Sequence, residues 1–233
     1  MLAVTDPRMP CSAKAKLKEI SEVIELPPFS ALDSRVASHP DMLLFRLGDK
    51  LFVCEEYYKE AKEIIDKIIK SASLKLVLTE DRFGNIYPDD IKFNAFVLNN
   101  TIIGNIENIS KEIKKYSVGL GLMTTDVKQG YAKCSTVVLE NAIITADTGI
   151  YNAARKLGAK ALLVSPGGIS LDGYNCGFIG GVSGVWEKRV FFCGDITKHP
   201  DHTIISEFCV ERGYEIISLS DEPLYDVGTI LFF

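Results

Sequence analysis

The chain has 233 residues, 47% of them hydrophobic and 24% charged, with a formal net charge of −5. That length and composition suit a soluble globular protein able to bury a full core in one large domain or two small ones. An acidic balance without a basic run speaks against nucleic acid and anionic membrane as partners, and no apolar run approaches a membrane span.

The first residues, Met1-Leu2-Ala3-Val4-Thr5-Asp6, lack the basic n-region and long apolar core of a signal peptide. Six cysteines at 11, 54, 134, 176, 193 and 209 form no C-x-x-C pair, which suggests reduced thiols and not a zinc site or disulfide framework. The expectation is one cytoplasmic domain, 1–233, with no cofactor or metal and an open oligomeric state.

In chain order, 1–6 reads as a strand, 11–19 as a helix, and 23–26 as a strand stopped by Pro27-Pro28. A polar loop ends in His39-Pro40-Asp41, which opens a hairpin over 41–53 with its turn at Gly48-Asp49. On an extended strand, residues two apart share a face, so His39 and Asp41 point the same way at one end of a sheet. The pair suits a general base and its anchor; it equally suits a polar turn with Asp41 as a local cap. Helix 55–70 follows, with Tyr58, Ala61, Ile64, Ile65, Ile68 and Ile69 at helical spacing, then strand 74–78.

The pattern recurs. Hairpin 92–104 turns at Asn99-Asn100 and leads to a helix near 107–116 and strand 118–123. Hairpin 134–145 turns at Glu140-Asn141; a helix runs from Asp147-Thr148 to Gly158, and strand 161–164 and a glycine-rich loop, 165–173, follow. Hairpin 177–193 has Ser183-Gly184 in its turn, Pro200-Asp201 opens a helix that ends at Gly213, and strand 216–219 precedes a final strand, 228–233.

The last apolar residues of the single strands, Leu26, Leu78, Met123, Val164 and Leu219, are spaced by 52, 45, 41 and 55, with 40 from Leu219 through the termini to Leu26. Five units of similar length close only if the two termini share one. The predicted fold is therefore α/β: a pseudo-fivefold α/β propeller of five ββαβ units, closed by pairing of the N- and C-terminal strands, without exposed sheet edges. The alternative is an open α/β sheet. The apolar end, Ile230-Leu231-Phe232-Phe233, favours closure.

Several stretches resemble the guanidino-modifying, or pentein, family of agmatine deiminase, arginine deiminase and dimethylarginine hydrolase. Val23-Ile24-Glu25-Leu26-Pro27 through Asp33 to His39-Pro40-Asp41 resembles agmatine deiminase's V-I-x-L-P, acidic loop and H-x-D. Phe93-Asn94-Ala95-Phe96 resembles its aromatic N-F strand. Gly130-Tyr131-Ala132-Lys133-Cys134-Ser135-Thr136 resembles the G-G-N-x-H-C-x-T around its cysteine, and Tyr225-Asp226-Val227-Gly228-Thr229-Ile230 its L-E-G-G-x-I. The last motif precedes H-x-D in agmatine deiminase and stands at the C-terminus here, as in a circular permutation. The chain also resembles an uncharacterised bacterial branch of the fold. Two departures stand out: 172–178 lacks the family's R-D-x-G-P, and aspartate replaces glutamate at 226.

The resemblance implies a cysteine-dependent hydrolase or transferase acting on a guanidino- or amidino-type small molecule in a central channel, through a thiouronium-like intermediate. Cys134 would be the nucleophile, His39 the acid and base, and Asp41 and Asp226 the holders of N–H groups. Asn94 would orient substrate or His39. Asn175 and Cys176 would border the substrate, with Cys176 as a competing nucleophile. Lys133, one along a strand from Cys134, should face away. Plainer readings remain for each: Cys134 as a small buried hydrophobe, Asn94 as part of a strand-opening turn, the Gly167-Gly168, Gly180-Gly181 and Gly184 segments as tight turns, and His199-Pro200-Asp201 as a helix cap. The rival function is a non-catalytic binding platform, resembling a ribosome anti-association initiation factor of the same fold.

Overall fold

The alternating apolar segments pair into five three-stranded sheets of one design and one two-stranded sheet, described by the computed structural model over residues 1–233. The elements run β1 (Leu2–Thr5), α1 (Cys11–Lys18), β2 (Glu22–Glu25), α2 (Pro40–Leu43), β3 (Phe45–Leu47), β4 (Lys50–Cys54), α3 (Glu55–Ala72) and β5 (Lys75–Thr79). Next come β6 (Phe96–Leu98), β7 (Thr101–Gly104), α4 (Lys111–Gly119), β8 (Met123–Asp126), β9 (Thr136–Val138), β10 (Ala142–Thr145), α5 (Thr148–Lys156) and β11 (Lys160–Leu163). The chain finishes with β12 (Ile169–Ser170), β13 (Ser183–Trp186), β14 (Arg189–Phe192), α6 (His202–Val210), β15 (Glu215–Ser218), β16 (Leu224–Tyr225) and β17 (Leu231–Phe232).

Four sheets, β3-β4-β5, β6-β7-β8, β9-β10-β11 and β13-β14-β15, each join an antiparallel hairpin to a third, parallel strand. Parallel neighbours need a crossover, and α3, α4, α5 and α6 supply it. The fifth sheet, β17-β1-β2, comes from both ends of the chain: Ala3 lies antiparallel to Phe232 and parallel to Val23. Local chemistry starts the helices where expected, since the Asp147 carboxylate accepts the Ile150 N–H. The buried apolar side chains form three clusters instead of one, each shared between neighbouring sheets and their helices.

Five expectations need correction. His39-Pro40-Asp41 does not open a strand; His39 precedes the one-turn helix α2, where the fixed φ of Pro40 suits the first helical position. The hairpins start two to six residues later than expected, because the residues before them form turns or, at α2, one turn of helix. Ser183-Gly184 begins β13, and the reversal falls at Glu187-Lys188, where Glu187 takes φ 52. The second unit's helix is capped by Ser110 and extends to Gly119, which moves β8 on to Met123–Asp126. Sheet edges are also not removed. The third strand of each three-stranded sheet is partly exposed, and four of them begin with an exposed charge (Glu22, Lys75, Lys160 and Glu215), which discourages pairing with another chain.

Phe232 packs 4.9 Å from Phe191 and leans on Trp186, while Phe233 and Leu2 exchange both backbone hydrogen bonds. Deleting Phe232 and Phe233 should lower the melting temperature of the whole domain. Each buried side chain is worth roughly 1.5–3 kcal/mol against a total stability of about 5–15. An unchanged melting temperature would rule out a structural role for the terminal pairing.

Candidate active site

Each sheet's first strand is preceded by a turn, and the five turns are joined by hydrogen bonds in a closed circuit. The Asp41 N–H donates to Gly228 O at 3.1 Å, and the Thr229 and Val227 N–H groups donate to Gly181 O at 2.8 and 3.1 Å. The Gly181 N–H donates to Cys134 O at 2.7 Å. The N–H groups of Lys133 and Cys134 donate to Asn94 Oδ1 at 2.8 and 3.2 Å. Asn94 Nδ2 closes the circuit onto Met42 Sδ at 3.2 Å and Asp41 O at 3.5 Å.

Inside the circuit lies a buried polar cluster. Cys134 Sγ donates to Asp41 Oδ2 at 2.9 Å and accepts from Asn94 Nδ2 at 3.1 Å. The Thr229 hydroxyl donates to the same Asp41 oxygen at 2.8 Å, while Asp41 Oδ1 is buried with no protein partner. A ring nitrogen of His39, an oxygen of Asp41 and the sulfur of Cys134 all lie within 4.8 Å of one another. His39 Nε2 is 3.8 Å from Asp6 Oδ2, and Arg8 grips both oxygens of Asp6. The imidazole packs on Gly228, whose φ of +65° and lack of a Cβ let it lie so close. Asp226 accepts the Phe178 N–H at 2.8 Å on one oxygen and the Gly228 N–H at 2.9 Å on the other.

The electrostatics favour a protonated thiol. Burial, then the Asp41 and Asp226 carboxylates, push the Cys134 thiol well above its ordinary range. Burial raises the Asp226 carboxyl as well, opposed by His39 and the two backbone N–H groups. Burial lowers the Lys133 ammonium, opposed by Asp41, Cys134 and Asp226. The His39, Asp41 and Cys134 trio offers three donors to a soft or borderline metal ion. Zinc bonds of about 2.0–2.3 Å hold tetrahedral donors roughly 3.5 Å apart, so Cys134 Sγ and Asp41 Oδ2, 2.9 Å apart, would have to open.

A family model described as a family of unknown function (DUF6873) matches residues 4–231. The chain belongs to DUF6873. No curated protein matches it. Among solved structures, dimethylarginine dimethylaminohydrolase from Pseudomonas aeruginosa, complexed with citrulline, superposes with a TM-score of 0.56 at 12% identity, over 94% of this chain and 91% of that one. SxtG, an amidinotransferase from Microseira wollei, gives 0.55 at 12% identity over 92% and 76%. The N-terminal domain of ArgZ, covalently bound to a reaction intermediate, gives 0.52 at 9% identity over 95% and 90%. At such identities the likeness concerns the fold, and this DUF6873 chain has the pentein-type α/β fold.

Of the residues singled out in the sequence, His39, Asp41, Asn94, Cys134 and Asp226 come together in the DUF6873 chain, drawn from four units. Asn175 and Cys176 do not join them. Both are exposed beyond a turn closed by the Tyr174 N–H on Leu171 O, and Phe178 is the residue of that loop that reaches Asp226. Cys176 instead lines a separate cavity of about 130 Å³ with Ser135, Asp147 and His199. His199-Pro200-Asp201 stands at the start of α6, but no side chain caps that helix: His199 Nδ1 accepts the Asp201 N–H, and the Asp201 carboxylate takes the Ser165 N–H.

Lys133 overturns the expectation that it faces away. Residues 131–135 form a turn, not a strand, so Lys133 and Cys134 both reach inward; Lys133 Nζ lies 3.3 Å from Thr229 Oγ1. Asp6, Arg8, Thr229 and Gly181 were also missed, because the sequence signal for each is a common turn.

Asn94→Ala would strip partners from two backbone N–H groups and the thiol at once. The variant should lose about 1–3 kcal/mol in urea unfolding, and a neutral result would argue against the Asn94 clamp. A second check uses alkali. Burial pushes Cys54 and Cys209 up to about 11 and Cys193 up to about 12, alongside Cys134. Unfolded thiols titrate near pH ~8.5, so above that the unfolded chain sheds protons that the folded chain keeps. Stability should therefore fall as pH rises from about 8.5 towards 11, and a flat urea midpoint between about pH 8 and 10.5 would contradict the burial of these thiols.

Proposed function

We propose that this chain is a cysteine-dependent hydrolase or transferase acting on the planar carbon of a guanidino- or amidino-type small molecule. The observation that carries the reading is the thiol, imidazole and carboxylate of Cys134, His39 and Asp41 within 4.8 Å of one another in a buried cluster. A pure binding platform gives no reason for that trio. The same reading takes the five sheets as a pseudo-fivefold α/β propeller of one domain, in the cytoplasm, with the substrate in its central channel. It takes the order of units as a circular permutation of agmatine deiminase.

The steps balance. Asp41 accepts the Cys134 proton across their 2.9 Å hydrogen bond as sulfur bonds to the substrate carbon. The departing amine takes a proton from the His39 imidazolium. In the second half, water or an acceptor amine gives a proton to neutral His39 and attacks the thiouronium-like carbon. The carbon–sulfur bond breaks, and Asp41 returns its proton to the thiolate. The raised thiol makes the first step slow until positive charge lies near sulfur, from imidazolium or ligand.

Incubation with guanidino, amidino and ureido compounds followed by acid quench should leave a covalent adduct on Cys134, visible by intact mass. Cys134→Ser should give none, and His39→Ala should slow turnover by about 10²–10⁴. Undiminished turnover in Cys134→Ser would refute the mechanism.

A further inference from the structure

Few acceptor positions in the cluster remain free for a ligand. Asp226 spends one oxygen on the Phe178 N–H and the other on the Gly228 N–H. A Cβ at Gly181 would overlap its carboxylate, so this acid is packed as part of the frame. Asp41 Oδ2 takes both the Cys134 thiol and the Thr229 hydroxyl. One carboxylate oxygen, Asp41 Oδ1, is left without a partner. The fourth unit supplies backbone here, Gly180 and Gly181; its nearest acid, Asp172, is exposed and bonded to the Tyr225 hydroxyl. A guanidinium, by contrast, offers many N–H groups in a planar fork that pairs best with two-oxygen carboxylate contacts.

A lysine already reaches the cluster. Lys133 Nζ sits 3.3 Å from Thr229 Oγ1 and 3.4 Å from Thr136 O, one hydroxyl away from the Asp41 carboxylate. We propose that Lys133 takes the place of a substrate cation, which keeps the cysteine chemistry of the proposed function but revises its substrate from a guanidino or amidino cation to an uncharged planar C–N head, of the ureido or carboxamide kind. Such a head has the shape of a guanidinium, one N–H to give to Asp41 Oδ1, and a carbonyl oxygen that needs a donor. Lys133 is that donor, and it would meet the negative charge that grows on the oxygen as sulfur attacks. This specificity role rests on Cys134 being the nucleophile and concerns the charge of the head alone. Burial lowers the Lys133 ammonium, and the Asp41 and Asp226 carboxylates oppose that shift.

The test uses 2-chloroacetamide and 2-chloroacetamidine, a matched pair that differs in charge. Labelling rates at Cys134 in the full chain are read by peptide mass spectrometry, each divided by the rate of the same reagent with glutathione. In the wild type the uncharged reagent should be favoured by roughly tenfold or more, as expected for one buried like charge. Lys133→Arg should keep that preference, while Lys133→Met, checked for folding by its melting curve, should lose or reverse it. Preference for the amidine in the wild type would overturn the proposal and leave Cys134 as nucleophile, and the wild-type ratio decides this even if Lys133→Met fails to fold. An unchanged ratio in a folded Lys133→Met would overturn it in the same way. No labelling of Cys134 by either reagent, with exposed Cys11 labelled by both, would overturn it together with the nucleophile itself.

Discussion

The hydrogen-bond circuit through Asp41, Asn94, Cys134, Gly181 and Gly228 is the constraint on which the rest depends. Every sheet supplies a turn to it, and each turn satisfies backbone groups of its neighbour that would otherwise be buried without partners. Side chains enter the circuit at Asn94 and Met42, and the Asn94 amide holds two N–H groups, a thiol and the Met42 thioether together. The functional cluster is thus built from the same bonds that fix the sheets relative to one another. A change that loosens one turn is felt by all of the site.

Within that frame, charge is distributed unevenly. Asp41 serves three masters: its carboxylate takes the thiol and the Thr229 hydroxyl, and its backbone N–H reaches Gly228. Asp226 is bound into the frame by Phe178 and Gly228 and does little but hold it. Asp6 stands behind His39, itself gripped by Arg8, so the imidazole has a fixed negative neighbour. Burial, and after it the Asp41 and Asp226 carboxylates, pushes the Cys134 thiol well above its ordinary range.

The repeat and its sharing of one unit between the termini were legible because they rest on period and spacing, which survive small errors in element ends. Asn94 and Cys134 were singled out by the resemblance to agmatine deiminase's motifs, and His39 by its place two residues before Asp41 as well. Lys133 was misread because assigning strand geometry two residues too early puts neighbouring side chains on opposite faces, whereas a turn lets both point inward. Asp6 and Thr229 carried no local signal. Their roles come from β1 and β17 lying side by side, a contact across nearly the full length of the chain that no short pattern encodes.

That side-by-side arrangement has a mechanical side. Leu2 and Phe233 form a hydrogen-bonded pair at the outer end of two antiparallel strands, so a pull applied to the two chain ends loads that ladder one rung at a time. Unzipping of this kind resists force far less than shearing a whole ladder at once. Gly228 and Thr229 lie just ahead of β17, in the next stretch to be peeled away. Under tension the molecule would therefore lose its chemistry first and its hairpins afterwards.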